Sequence, residues 1–371
     1  MLSRRCFNSV IAQTLTLGAT CRVHAAEPAK ASLWLPLRGG VSLAGAEFGC
    51  ENPTFSNASP GVCGRDYKYP SQGTIAYFAS RGLGLLRVPF RWERLQPRLG
   101  EPLDSAELAR LRQVVDWAIE HGALVVLDMH NYARYQLSLF GKPRSAVIDE
   151  QIGADVPVPR ALFADVWRRL ATEFADTRGI AAFGLMNEPH DMGRSDWKTI
   201  SQAAVDAVRS VNRDAFLLVA GDGWSNAHRW TEVNGSRAWI EDRANRTGYE
   251  AHCYFDTDAT GKYRRSYADE LRDDPDLLNR GVRRLDVFLQ WCRRNGVNGM
   301  LGEFGIPGAD AGWRDVLART LRQLCTTNMS ACYWAAGEWW QKDPLSVQPR
   351  DNLTVPAPQL GVLLEYLSTP F

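Results

Sequence analysis

Residues 180–190 read Ile-Ala-Ala-Phe-Gly-Leu-Met-Asn-Glu-Pro-His. The run is apolar without alternation up to Met186, which suits a strand buried on both faces of a parallel sheet. It then passes directly into an amide, a carboxylate and an imidazole. A carboxylate at the end of such a run is costly to bury without a partner, so either a functional role or a buried ion pair must explain it. Before it, residues 160–175 place Phe163, Val166, Trp167, Leu170 and Phe174 at helical spacing. After it, residues 196–211 show the same period. The local unit is therefore helix, strand, helix.

That unit recurs along the chain. Apolar runs occupy 41–48, 83–90, 123–129, 180–186, 215–220, 249–254, 299–304 and 331–335. Amphipathic helices are expected at 104–121, 160–175, 196–211, 282–294 and 313–325. In the first of these, Asp104 and Glu107 form a capping-box pattern, Leu108, Leu111 and Val115 share a face, and Gly122 ends the helix. Strands separated by helices pair in parallel, because parallel neighbours need a crossover connection. Eight such units predict an α/β protein with a single (β/α)8 TIM barrel. An open doubly wound sheet is the other arrangement of such units, but no glycine-rich dinucleotide fingerprint follows the first run.

The chain has 371 residues, of which 45% are hydrophobic, with a formal net charge of +1. It carries no basic footprint for nucleic acid, so a neutral partner is expected. Thirteen Trp, fourteen Phe and eleven Tyr offer flat rings suited to the apolar faces of sugars. Residues 1–25 read as an export signal: Arg4 and Arg5, an apolar stretch over 7–19, then Val23-His24-Ala25 before Ala26. Ser3-Arg4-Arg5-Cys6-Phe7 also resembles the twin-arginine signature. The expectation is a secreted or periplasmic protein with residues 26–371 as its catalytic barrel domain. No later segment supplies the roughly 18 to 20 uninterrupted apolar residues of a spanning helix, so no membrane partner is expected. Beyond Cys6 and Cys21, six cysteines remain: Cys50, Cys63, Cys253, Cys292, Cys325 and Cys332. Cys50 and Cys63 flank a Gly/Pro/Asn/Ser loop that a disulfide between them would close, and the other four allow three pairings. No C-x-x-C or clustered His accompanies them, so neither a metal nor a cofactor is expected.

In a (β/α)8 barrel, chemistry sits at the C-terminal ends of the strands. Strand two carries Arg87 and runs into Phe90-Arg91-Trp92, and strand three ends Asp128-Met129-His130-Asn131-Tyr132. Strand four ends Asn187-Glu188-Pro189-His190, and strand five runs into Asp222-Gly223-Trp224. Strand six carries His252-Cys253-Tyr254 and strand seven Gly302-Glu303-Phe304. Strand eight ends at Trp334, with Glu338-Trp339-Trp340 close behind. Glu188 and Glu303, ending strands four and seven, could converge across the barrel mouth. Two carboxyls at about 5 to 5.5 Å are what glycosidic cleavage with retention requires.

These residues, in this order, resemble glycoside hydrolase family 5, the retaining (β/α)8 enzymes, over nearly the whole chain after the signal. The resemblance implies Glu188 as acid/base and Glu303 as nucleophile, with Arg87, His130, Asn187, His252, Tyr254 and Trp334 lining the site. Val88-Pro89-Phe90-Arg91-Trp92-Glu93-Arg94-Leu95 and Asp128-Met129-His130-Asn131-Tyr132-Ala133-Arg134-Tyr135 are similar to the endo-β-1,4-glucanase branch, and so to cellulases. Cys253, where that branch often has a polar residue, and Met129, where Pro is common, depart from its pattern. Arg87 and Tyr254 are expected to hold Glu303 charged, while Glu188 must keep its proton until it donates. Asn187 is positioned for the substrate 2-hydroxyl. Trp334 is expected as the platform at the cleavage point. Asn131, Trp92, Tyr132, Tyr135, Trp224, Trp339 and Trp340 are further substrate-binding candidates. The expected partner is a β-glucan polysaccharide or oligosaccharide, bound by a monomer. Mannan, xyloglucan and mixed-linkage glucan fit the same carboxyl pair, and a non-catalytic carbohydrate-binding barrel is the alternative from a different class.

Overall fold

Each of the eight apolar runs forms a strand in the computed structural model, which describes residues 35–36 and 38–368. The strands are β1 (Gly39–Leu43), β2 (Leu85–Phe90), β3 (Leu124–Met129), β4 (Ile180–Gly184), β5 (Leu217–Ala220), β6 (Thr247–His252), β7 (Asn298–Glu303) and β8 (Ser330–Ala336). They pair in parallel with their sequence neighbours, and β1 pairs with β8 to close the barrel. The expected (β/α)8 architecture is the one observed. The export signal expected over residues 1–25 lies outside the described residues.

Strand residues alternate between two apolar environments. Leu85, Val126, Ala182, Leu218, Met300 and Cys332 fill the barrel interior. Leu86, Val125, Leu127, Phe183, Leu217, Val219 and Leu301 face the helical layer instead. Because both faces are buried, the runs lack the polar alternation of a half-exposed sheet. The same alternation decides where polar residues point. Arg87 follows Leu85 by two positions and Asp128 follows Val126 by two, so both turn inward.

Several apolar runs continue past the strand that they contain. Residues 44–48, 185–186 and 253–254 leave the ladder and become the loops of the mouth. On β7 the pairing slips: Ala251 faces Leu301, but His252 faces Glu303. This irregularity lets Glu303, which strict alternation would turn toward the helices, face the mouth with His252. Gly302 is needed beside it, since a Cβ there would lie 1.9 Å from Glu250 Oε1.

The helix expected at 104–121 spans Ser105–Glu120, and the Asp104 side chain accepts from the N–H groups of Ala106 and Glu107. Only half of the expected capping box is made. The Glu107 carboxylate turns away to accept from the buried hydroxyls of Tyr67 and Tyr69, each at 2.8 Å, and pairs with Arg110. Two short helices, Gln72–Ala79 and Leu360–Leu367, and an antiparallel hairpin, Arg134–Leu139 with Lys142–Val147, were not expected from the pattern. The hairpin turns on Phe140 and Gly141, both at positive φ, the backbone of a two-residue turn. All six cysteines of the described residues are free thiols, so the closure of the 50–63 loop by Cys50 and Cys63 is not made.

The split capping box makes a testable distinction. Asp104→Ala should cost roughly 1 kcal/mol, an ordinary lost cap. Glu107→Ala leaves two buried tyrosine hydroxyls unpaired and should cost roughly 3 kcal/mol or more. Urea unfolding of both variants checks this, and equal losses would contradict the assignment.

Candidate active site

Arg87 is fully buried at the centre of the mouth. Its Nη1 donates to Glu303 Oε1 at 2.9 Å and its Nη2 to Asn187 Oδ1 at 2.6 Å. Its Nε lies 2.9 Å from Glu250 Oε1, and Nη2 lies 3.2 Å from Asp128 Oδ2. One guanidinium thus faces three carboxylates and an amide. Its planar fork of donors suits such a task better than an ammonium would.

The two candidate carboxyls meet beside it. Oxygens of Glu188 and Glu303 and a ring nitrogen of His252 all lie within 4.8 Å of one another. His252 Nδ1 is 2.7 Å from Glu188 Oε1 and 3.5 Å from Glu303 Oε2, while Nε2 is 3.3 Å from Glu250 Oε1. Burial alone would lower the pKa of this imidazole. The charge of Glu303 and the hydrogen bonds to Glu188 and Glu250 outweigh burial and hold it up at about 10. Protonated on both nitrogens, the ring donates from Nδ1 to Glu188 and from Nε2 to Glu250.

Glu303 is pulled in opposite directions. Burial raises its pKa, His252 and Arg87 lower it, and Glu188 adds to the rise, leaving it above the ordinary carboxyl value. Tyr254 donates its hydroxyl to Glu303 Oε2 at 3.0 Å. Burial and the nearby Glu303 and Glu188 push the Tyr254 hydroxyl well up, so it remains a donor. Burial also lowers His130 to about 3, which keeps that ring neutral. Its Nδ1 faces Asp128 Oδ2 at 2.8 Å, and that contact places the single ring proton there. Nε2 is then an acceptor for Asn187 Nδ2 at 3.3 Å. With Oδ1 given to Arg87, the Asn187 amide has one N–H left for a ligand.

Arg87, His130, Asn187, Glu188, His252, Tyr254, Glu303 and Trp334 are thus gathered at one mouth. Trp334 stacks on His130 with ring centroids 5.3 Å apart and also packs against Trp340 at 6.0 Å. A recess of about 330 Å³ is lined by Tyr254, Lys262, Trp334, Trp340 and Asp343. On the opposite side, Trp224 stacks on His190 at 3.4 Å, with Tyr132 edge-on to both. Trp224 is 46% exposed and Trp339 41%, so both have open ring surface. A wide surface recess, about 1160 Å³ between Trp197–Arg209 and residues 239–244, lies away from these carboxyls and is bridged by Gln202 and Glu241.

Three expected ligand residues are not available to a ligand. Asn131 is buried, accepts from the Trp92 N–H and donates to both oxygens of Glu93. Trp92 is fully buried between Tyr135 and Phe163, its indole N–H bonded to Gln96. Tyr135 is buried too, and its hydroxyl donates to the Gln96 carbonyl. Adjacency to a strand tip makes them candidates in the sequence, but their side chains turn into the layer between barrel and helices. Conversely, Glu250 was missed. It stands two residues before His252, as Asp128 stands before His130, and that spacing puts each on the same inward face.

A closed parallel barrel with two carboxyls facing each other at its C-terminal mouth is the arrangement that glycoside hydrolases use. Residues 42–342 match the model of cellulases, glycosyl hydrolase family 5, and the chain belongs to that family. It is 31% identical over 319 residues to endo-β-1,4-glucanase A of Emericella nidulans, covering 85% of this chain and 87% of that protein. Among solved structures, endoglucanase Cel5A of Pseudomonas stutzeri aligns with a TM-score of 0.77 at 35% identity, over 90% of this chain and 94% of that one. An endo-β-1,4-glucanase of Xanthomonas axonopodis pv. citri aligns with a TM-score of 0.76 at 34% identity, over 90% and 98%.

Glu250→Gln removes one of the charges that keep His252 protonated. The imidazole should then titrate below the value of about 10 expected for the parent, by NMR of the ring. For such a raised histidine, the stabilisation is complete below the unfolded value near 6.5 and fades as pH rises toward the folded value. The variant should accordingly lose stability at a lower pH than the parent. An unmoved His252 titration would remove Glu250 from this role.

Proposed function

We propose that this chain is a retaining endo-β-1,4-glucanase in which Glu188 is the acid/base and Glu303 the nucleophile. The observation that carries the reading is the approach of the two carboxyls to within 4.8 Å. Oxygens that close lie nearer the roughly 5–5.5 Å separation of carboxyls that attack the sugar directly than the roughly 6.5–9.5 Å that admits a water for inversion. Glu303 is held for attack by Arg87 on one oxygen and Tyr254 on the other. Glu188 accepts from His252 at Oε1, which leaves its second oxygen to deliver a proton to the leaving oxygen. Once Glu303 is bonded to the sugar, Glu188 takes a proton from water and the second displacement restores the site. The free N–H of Asn187 meets the 2-hydroxyl, and Trp334 stacks beneath the sugar being cleaved. The choice of β-1,4-glucan rests on the names of the relatives and on the aromatic lining of the mouth. We propose further that residues 1–25 direct export and are removed, so that the exported protein has a mass starting at Ala26.

The two glutamates should respond differently to removal of their charge. On an aryl β-cellobioside, whose phenolate leaves without help, Glu188→Gln should form the glycosyl-enzyme but hydrolyse it slowly, giving a burst of phenol. Glu303→Gln should form none. Proton NMR of the parent should show the β-anomer first. Reducing ends should appear from carboxymethylcellulose and not from galactomannan. Retained turnover in Glu303→Gln, or α-anomer as the first product, would falsify the mechanism.

A further inference from the structure

We infer that a groove on the barrel flank beside Trp339 binds the tail of the same β-glucan chain that occupies the mouth. This rests on the endo-β-1,4-glucanase reading above. The groove has a volume of about 510 Å³, within the roughly 300–1,000 Å³ usual for ligand pockets. Its floor and walls are apolar and aromatic: Trp117, Trp339, Tyr69, Pro70 and Val114. Arg110, Gln113 and Lys68 stand around these rings with hydrogen-bond donors. On the helix Ser105–Glu120, positions 110, 113, 114 and 117 form one continuous stripe. The stripe ends in a half-buried indole, with an exposed amide one turn above it. It suits a pyranose, which has apolar faces and an equatorial rim of hydroxyls.

Continuity with the mouth identifies the occupant. Trp339 and Trp340 are consecutive. Trp340 lines the recess with Tyr254 and Trp334, while its chain neighbour Trp339 lines the flank groove and is 41% exposed. With the proton donor Glu188 on β4, the leaving part of the glucan extends toward the Trp224 side. The retained part extends past Trp334 to Trp340, and over the rim at Trp339 into the groove. A short oligosaccharide fills only the mouth, whereas a long chain reaches the flank. The groove therefore gives the enzyme a preference for polymer that the catalytic geometry alone does not supply.

The test uses the full chain carrying Glu303→Gln, so that bound glucan is not consumed. Hydroxyethylcellulose affinity is read by retardation in native gels, and cellobiose affinity by calorimetry. Adding Trp117→Ala should lower the ratio of polymer to cellobiose affinity roughly tenfold, the scale for truncating one aromatic anchor. A second measurement needs no groove variant: Cys63, half-buried in the groove wall, is alkylated with iodoacetamide and its peptide followed by mass. Polymer should slow this alkylation and cellobiose should not. If Cys63 reacts equally fast with polymer bound, the groove is empty of glucan and the inference fails, whatever the variant does. Loss of polymer binding in the parent as well would overturn the endoglucanase reading together with it.

Discussion

The site is organised by one buried positive charge. Arg87 is removed from water inside the barrel, and a lone guanidinium there would cost many kcal/mol. Asp128, Glu250 and Glu303 face it, each within 3.2 Å of a guanidinium nitrogen. Those carboxylates would in turn repel one another without it. Burial and Glu250 together outweigh Arg87 at Asp128, whose pKa rises, whereas Arg87 and His252 outweigh burial at Glu250, whose pKa falls. The network thus distributes its charge unevenly, with the carboxyl nearest the neutral His130 inclined to hold a proton and the carboxyl behind His252 inclined to stay ionised. Removing the cation would leave Glu250 and Glu303 to His252 and Asp128 without its guanidinium partner, so the same residue that orients Glu303 also makes the interior of the mouth stable.

Backbone geometry brings the members of this network together. A barrel strand turns every second side chain inward, and Arg87, Asp128 and Glu250 reach the centre by that rule alone. Glu303 does not obey it. The slip between Ala251 and His252, with Gly302 making room for Glu250, presents Glu303 to the mouth beside His252. A side chain at Gly302 would collide with the carboxylate that supports both Arg87 and His252. Packing, register and electrostatics therefore constrain the same few positions.

Much of this was legible in the chain. Eight largely apolar runs separated by amphipathic helices pointed to parallel strands buried on both faces, and the missing dinucleotide fingerprint favoured the closed barrel over the open sheet. The polar ends of those runs located the mouth, and eight residues from six strand ends lie there together. What failed was the direction of side chains just past a strand. Trp92, Asn131 and Tyr135 stand next to site residues in sequence, yet Glu93 and Gln96 draw their polar atoms into the layer behind the barrel. Once the backbone leaves the ladder, strict alternation no longer says which way a residue points. Glu250 and Asp128 were legible by that same alternation, two positions before each histidine. The half-made capping box shows a further limit. Its local pattern was correct, but two tyrosine hydroxyls brought in from a distant loop compete for Glu107 and win because they are buried.

The mouth also holds a cluster of costly backbone conformations. Tyr132, Ala133, Glu188, Trp224 and Ser225 all have positive φ, a region that residues with a side chain enter at an energetic cost. These residues lie at the ends of β3, β4 and β5, around the candidate proton donor and the His190–Trp224 stack. None is a glycine, so turn-making alone does not account for them. Such strain persists only where surrounding contacts over-determine it, and here they do: the Tyr132 N–H donates to the Asn187 carbonyl, and the Trp224 N–H to the Pro189 carbonyl. The backbone of one strand end therefore fixes that of the next. A neutral polymer offers no charge with which to draw the site into shape on binding. Affinity and orientation must come from donors, acceptors and rings already in place. The strained loops and the ion-pair lattice serve the same end, since both hold Glu188 and Glu303 in facing positions before any sugar arrives.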